Sequence, residues 1–369
     1  MNKKIKTATI TFQNANNYGA ILQTYALQRA ILKIGCDNKV INYQSEYMNR
    51  PYSSQALKNK GFVRYILGNL YSIARIPRIY EFSKFRKMIE MTNKINFNQL
   101  QNLENEYDFF ICGSDQIWNG FITNLDPAFF LNFIKNPKKK ISYAASFGFE
   151  KVPEITKKKY KDLLSDFSNI NMRESSGVKI IQHLLGKASQ TVLDPTMLLS
   201  VEDWNIVAKE KSNNNQKYIL IYQVGMSSFL LKKAKKIAKL TGLKILTIPF
   251  PIGGLIKTKI NFSAGPQQWI GLIKNAELVI TDSFHGCAFS IIYNKRFFVC
   301  LSEGSTRISS LLNIFKLNNA LILKGKEFLI DYDVDWYKVN SILEIERHKS
   351  INILSEMLHV KKILKKRNE

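Results

Sequence analysis

Glu277-Leu-Val-Ile-Thr-Asp-Ser-Phe-His-Gly-Cys-Ala-Phe-Ser-Ile-Ile292 decides how the rest of the chain is read. Leu278 to Ile280 is a short apolar, β-branched run, the pattern of a parallel strand covered on both faces. Thr281, Asp282 and Ser283 offer side-chain caps to the apolar, small-residue helix expected after Gly286. His285 therefore stands where a strand hands over to a helix. In open α/β sheets ligands bind at that place, and a helix N-terminus there suits an anion. Ser283, His285 and Gly286 become candidate site residues, with glycine allowing close approach. An ordinary strand–loop–helix corner is the alternative.

Working outward, the same unit recurs. Thr7–Phe12 reads as a strand, Gln13–Ala20 as a polar loop, and Leu22–Ala30 as an apolar helix stopped by Gly35; Lys39–Tyr43 resumes as a strand. Asn17, Tyr18 and Gly19 lie at that helix entry, without the G-x-G-x-x-G spacing of a nicotinamide site. Tyr107–Cys112 is a strand leading into Gly113-Ser-Asp-Gln-Ile-Trp118, where Gly113, Ser114, Asp115 and Trp118 could hold a sugar by hydrogen bonds and an aromatic face. A plain turn is the rival reading. Lys140–Gly148 repeats the scheme with Ser146, Asn169–Gly177 with Arg173 and Glu174, and Gln190–Thr196 with Asp194 before a proline.

A polar linker at Lys211–Lys217 precedes a second α/β run. Strands are expected at 218–222, 243–248 and 296–300, with a helix capped by Ser227 or Ser228 and closed by Gly242. Arg307 is expected on a loop ahead of an apolar helix. The expectation is an α/β chain of two Rossmann-like domains, 1–210 and 211–369, facing each other across a cleft. The second would end in a helix with a solvated basic tail.

Composition narrows the class. The chain has 369 residues, 45% hydrophobic, enough for two globular cores. Four cysteines and four histidines have neither zinc nor disulfide spacing, so no metal is expected. Cys287, beside His285, could be a thiol nucleophile or a small core residue. The formal charge of +25 points to anionic partners, although no nucleic-acid motif accompanies it and no specific nucleic-acid binding is expected. No acidic residue occurs between Tyr47 and Tyr80, part of an inserted helical region around 47–100 that either lies on an anionic membrane or packs on the domain, with Pro77 expected to break its helix. The Met1 end runs directly into a strand, and the expected location is cytoplasmic, with peripheral contact at the inner membrane face.

Six fragments, in order, carry a family resemblance: Asn17–Leu27, Gly113–Asn119, Tyr143–Gly148, Arg173–Gly177, Leu193–Thr196 and Thr281–Gly286. Together they resemble the polysaccharide pyruvyl transferase family, whose fold is similar to that of GT-B glycosyltransferases. The resemblance implies transfer of the pyruvyl group of phosphoenolpyruvate, as a ketal, to a sugar of a bacterial surface polysaccharide or its lipid-linked precursor. It maps the catalytic histidine onto His285 and two basic residues onto Arg173 and Arg307. Two departures stand out: Ser283 where some relatives carry arginine, and Gly19-Ala20 where many have Gly-Asp. No cofactor is expected beyond phosphoenolpyruvate as donor substrate, and no metal is required because arginines can neutralise the leaving phosphate. A nucleotide-sugar glycosyltransferase is the alternative.

Overall fold

The computed structural model describes residues 4–45, 47, 76–210, 217–225, 227–248, 259–261, 263–301, 303, 305–326 and 332–360. Most of the basic 47–75 stretch, the 211–216 linker segment and the 361–369 tail lie outside the described residues, so the membrane, linker and solvated-tail readings fall there.

Two parallel sheets organise the chain. The first has strands β1 (Lys6–Ile10), β2 (Asp37–Tyr43), β3 (Met91–Ile95), β4 (Phe109–Cys112), β5 (Lys140–Ala145), β6 (Asn169–Met172) and β7 (Gln190–Thr191), in the order β3-β2-β1-β4-β5-β6-β7. The second has β8 (Tyr218–Tyr222), β9 (Lys244–Ile248), β10 (Lys259–Ile260), β11 (Leu278–Thr281), β12 (Phe297–Leu301) and β13 (Leu321–Leu323), in the order β10-β9-β8-β11-β12-β13. Every pairing in both is parallel. In each, the chain starts at the centre, winds to one edge and returns to wind to the other. The reversals, β1/β4 and β8/β11, are the topological switch points of two Rossmann-like lobes. The fold is α/β and GT-B-like.

The strands are nearly continuous apolar runs because helices cover both faces. Val279, Ile280 and Phe297–Cys300 are completely buried. Helix α1 (Tyr18–Lys33) packs against α9 (Pro266–Lys274) of the other lobe. At that seam the Tyr18 ring stacks on Trp269 at 5.4 Å between centroids, and the Tyr18 hydroxyl donates to Ala264 O at 2.6 Å. One hydrophobic core runs through the seam, from Tyr18 and Leu22 to Ile270 and Phe289.

Between β2 and β3 lies α2 (Ile76–Arg86), which contains Pro77; the residues immediately before it are outside the described residues, and the expected break falls at that edge. The last helix, α12 (Trp336–Met357), leaves the second lobe and lies back on the first. Its Arg347 donates to Met197 O at 2.8 Å, and its Ser350 hydroxyl accepts from Leu193 N at 3.0 Å. Among the described residues no helix is long and apolar enough to cross a membrane.

Candidate active site

Strand ends of the first lobe and two helices of the second converge. After β6, Arg173 and Glu174 lead into α6 (Ser175–Leu185); after β7, Asp194 caps the turn Pro195–Leu198. After β4, Asp115 adopts φ of 77°, a left-handed conformation that carboxamide and carboxylate residues tolerate better than most. Its side chain accepts from Gln116 N at 2.8 Å. Facing them, His285 sits in the first turn of α10 (Phe284–Ile292), whose N-cap Ser283 accepts from Gly286 N at 3.4 Å.

Asp194 is the centre of this cluster. Its Oδ2 accepts from Arg173 Nη1 and from Ser114 Oγ, each at 3.0 Å, and lies 3.6 Å from His285 Nε2. Its Oδ1 accepts from Thr196 N at 3.0 Å and Thr196 Oγ1 at 2.7 Å. Burial alone would push this carboxyl up. The His285 and Arg173 charges and the Thr196 N–H outweigh it and hold Asp194 well below the usual carboxylate range.

Arg173 is 1% exposed at its side chain, with Asp115 Oδ1 at 3.6 Å and Glu174 Oε2 at 3.9 Å. Burial works against its charge, but the three carboxylates more than restore it. Among the described residues its Nε and Nη2 have no hydrogen-bond partner. The Phe284 ring closes over it, 4.5 Å from the guanidinium carbon. Glu174 accepts from Ser146 Oγ at 2.8 Å. Burial raises its carboxyl above the ordinary value, against the pull of Arg173, Ser146, Arg307 and the Gly148 N–H.

Arg307 lies in the first turn of α11 (Thr306–Phe315), since the extended backbone of Ser305 starts the helix before it and not after it as expected. Burial and the Arg173 charge lower its pKa while Asp115 and Glu174 oppose; this half-buried guanidinium is on the second-lobe helix whose Ser310 meets Ser175, beside Glu174. Nearby, Ser175 N donates to Ser310 Oγ at 3.2 Å, tying α6 to α11.

His285 also touches the first loop. A Cβ at Gly19 would fall 2.0 Å from Nδ1, so the imidazole occupies the space a side chain would take. Gly286 is pressed likewise on Thr281, 2.4 Å from a built Cβ. Asn17 caps α1 by accepting from Ala20 N at 3.1 Å.

The structure thus gathers His285, Arg173, Arg307, Asp115, Glu174, Asp194 and Gly19. Six expected substrate contacts, Asp194 among them, are committed to contacts within the protein. Trp118 is fully buried, stacked on Phe130, its indole N–H donating to Phe129 O at 3.1 Å. Tyr18 is committed to the lobe seam. Ser114, Ser146 and Asp194 are buried and hydrogen-bonded within the cluster, and Gly113 packs against Thr11. An aromatic or hydroxyl side chain in a loop does not announce which way it turns; here Trp118 turns into an aromatic cluster, and Ser114 and Ser146 turn to the Asp194 and Glu174 carboxylates. Cys287 is buried, its thiol bonded to Ser283 O at 3.1 Å and pushed up by burial, which removes the nucleophile reading. Thr196 and Phe284 went unnoticed, although both stand inside quoted fragments, Thr196 in an Asp-Pro-Thr turn signature. Two cavities, about 290 and about 200 Å³, lie elsewhere, lined by Arg296, Tyr332 and Trp336 and by Pro77, Tyr80 and Gln268 among others.

Solved structures share the two-lobed fold at low identity. The UDP-GlcNAc 2-epimerase of Methanocaldococcus jannaschii is 14% identical, with a TM-score of 0.55 over 97% of this chain and 100% of that one. The UDP-bound MnaA of S. aureus is also 14% identical, with a TM-score of 0.55 over 97% and 98%. The Neisseria meningitidis UDP-GlcNAc 2-epimerase is 11% identical, with a TM-score of 0.51 over 97% and 100%. No curated protein sequence matches the chain. The family model of polysaccharide pyruvyl transferases matches residues 17–304, a span that holds Gly19, Arg173, Asp194 and His285, and the chain belongs to that family.

Proposed function

We propose that this protein transfers the pyruvyl group of phosphoenolpyruvate to two hydroxyls of one sugar, forming a ketal and releasing phosphate. The observation that carries this reading is the meeting, at Asp194, of the His285 imidazole of the second lobe with the Arg173 guanidinium of the first, at the carboxyl ends of the strands, with Arg307 of the second lobe near the same cluster. The donor is a compact polyanion. Arginine matches carboxylate and phosphate oxygens with paired N–H groups. Nε and Nη2 of Arg173, which face Glu174 and Asp115 without a hydrogen bond among the described residues, and the half-buried Arg307 are the groups to receive it, with the N-terminus of α1 near His285. Arg173 and His285 are almost sealed, so donor entry requires the lobes to part.

In this reading His285 delivers a proton to the methylene carbon of the enol, leaving a cationic carbon that one sugar hydroxyl attacks. That hydroxyl's proton returns to the imidazole. The second hydroxyl then forms its own bond to the same carbon as the bond to phosphate oxygen breaks, and its proton leaves with phosphate. Histidine suits both directions of transfer. The acceptor is a lipid-linked or polymeric glycoside, and peripheral contact with an anionic membrane would bring the protein to it.

A nucleotide-sugar donor is the alternative. It would call on free backbone N–H groups at the β8/β11 switch point. Those of Val224 and Gly225 are already held by the Asp282 carboxylate, at 2.6 and 3.1 Å, which favours the pyruvyl reading. The test incubates the protein with phosphoenolpyruvate and a panel of lipid-linked glycosides, following phosphate and the added pyruvyl mass. His285→Ala should lower the rate at least about a hundredfold. Turnover of a sugar nucleotide, with no phosphate from phosphoenolpyruvate, would replace this reading by the alternative.

A further inference from the structure

A carboxylate has about four lone-pair sites. Asp194 already accepts from Thr196 N, Thr196 Oγ1, Ser114 Oγ and Arg173 Nη1, so a further donor must share an oxygen, and its side chain is wholly buried, with no edge exposed to a sugar. What the carboxylate does instead follows from the fifth group it faces. Arg173 belongs to the first lobe and His285 to the second, and the same oxygen, Oδ2, stands 3.0 Å from one and 3.6 Å from the other. A shift of a few tenths of an ångström makes the second contact a hydrogen bond, the tightening usual when a site fills.

The two imidazole nitrogens have different surroundings. Nε2 faces Asp194, while Nδ1 lies against the bare Cα of Gly19 at the entry of α1. Which nitrogen carries the proton is set by the partner of the other. We propose that Asp194 is a positioning residue that clasps Arg173 and turns His285 so that Nε2–H faces the carboxylate and Nδ1 is the atom that exchanges a proton with substrate beside Gly19. The Thr196 hydroxyl and N–H hold the far oxygen of Asp194, so the carboxylate cannot swing away. Because the imidazole arrives on the other lobe, it acquires this orientation only when the lobes are together.

The assignment of Nδ1 as the reacting atom rests on the pyruvyl-transfer reading; the orientation itself does not. Nuclear magnetic resonance of the full chain, labelled with ¹⁵N in histidine, reads the orientation directly. The His285 signals are those lost in His285→Ala. With the imidazole neutral, the parent chain should show the proton on Nε2; a proton on Nδ1 would overturn the proposal, and this arm needs no Asp194 variant. In Asp194→Asn one end of the amide must turn a donor toward Arg173 or Thr196, so the preference for Nε2–H should weaken. With phosphoenolpyruvate and acceptor, kcat of that variant should fall about a hundredfold or more. A folded Asp194→Asn chain with parental tautomer and parental kcat would also overturn it. Should the parent release no phosphate from phosphoenolpyruvate, the reaction assignment fails while the tautomer measurement still decides the role of Asp194.

Discussion

His285 rests on Gly19 across the two lobes: a methyl group at residue 19 would lie 2.0 Å from Nδ1, 2.5 Å from Cε1 and 2.6 Å from Cγ. The absent side chain is therefore part of the site, and the backbone of one lobe is the bed on which the imidazole of the other lies.

Gly19→Ala should accordingly displace His285 or hold the lobes apart. A displacement near an ångström in a reacting group costs about a hundredfold. Phosphate release from phosphoenolpyruvate should drop by that order while the thermal midpoint falls by only a few degrees. A variant with parental turnover would mean that His285 works from another position.

Arg173→Lys keeps the positive charge but loses the planar fork. Lysine cannot hold Asp194 and also offer a second edge of N–H groups. KM for phosphoenolpyruvate should rise about tenfold or more, measured by steady-state phosphate release. Arg173→Met leaves buried carboxylates without a counter-charge, a loss of about 3–5 kcal/mol, and should accumulate poorly. An unchanged KM in the lysine variant would count against donor binding at Arg173.

Glu174 ties stability to pH. Burial raises its folded-state carboxyl above the unfolded value. The stability associated with the protonated form is therefore complete below the unfolded pKa and lost as pH rises through the folded one. Glu174→Gln carries no such loss. Denaturant midpoints of the two chains, compared from about pH 4 to about pH 8, should diverge in favour of the glutamine variant as pH rises. A constant difference over that range would mean that Glu174 does not carry the effect.

Trp118 separates a core role from a binding one. Trp118→Ala should cost about 3–5 kcal/mol, seen as a large fall in the thermal midpoint. Trp118→Phe should cost less and leave the acceptor KM unchanged. A raised acceptor KM in a stable Trp118→Phe protein would restore the sugar-platform reading.

The elements were readable because each depends on neighbours in sequence. The apolar runs at Tyr218–Tyr222 and Leu278–Thr281, the Ser227 cap and the Gly242 stop are local statements, and the structure has them where the residues imply. Arg307 was misplaced by a turn because Ser305, which starts its helix through backbone conformation alone, makes no side-chain cap bond. Side-chain direction was harder. A tryptophan in a polar loop could face out or in, and only the aromatic cluster of Phe130, Phe147 and Phe167 chooses.

From residue order alone came two α/β runs, the strand ends that carry polar side chains, and the identity of the imidazole and guanidinium groups. The runs and strand ends follow from periodicity and capping, which act over a turn or two of chain; the roles of His285, Arg173 and Arg307 come from the family resemblance. That Asp194 faces Arg173 and His285 together, and that Gly19 is bare because an imidazole needs its space, depended on how the two lobes meet. Packing at the Tyr18–Trp269 seam sets that meeting, and contacts between distant parts of a chain leave no period for a sequence to display.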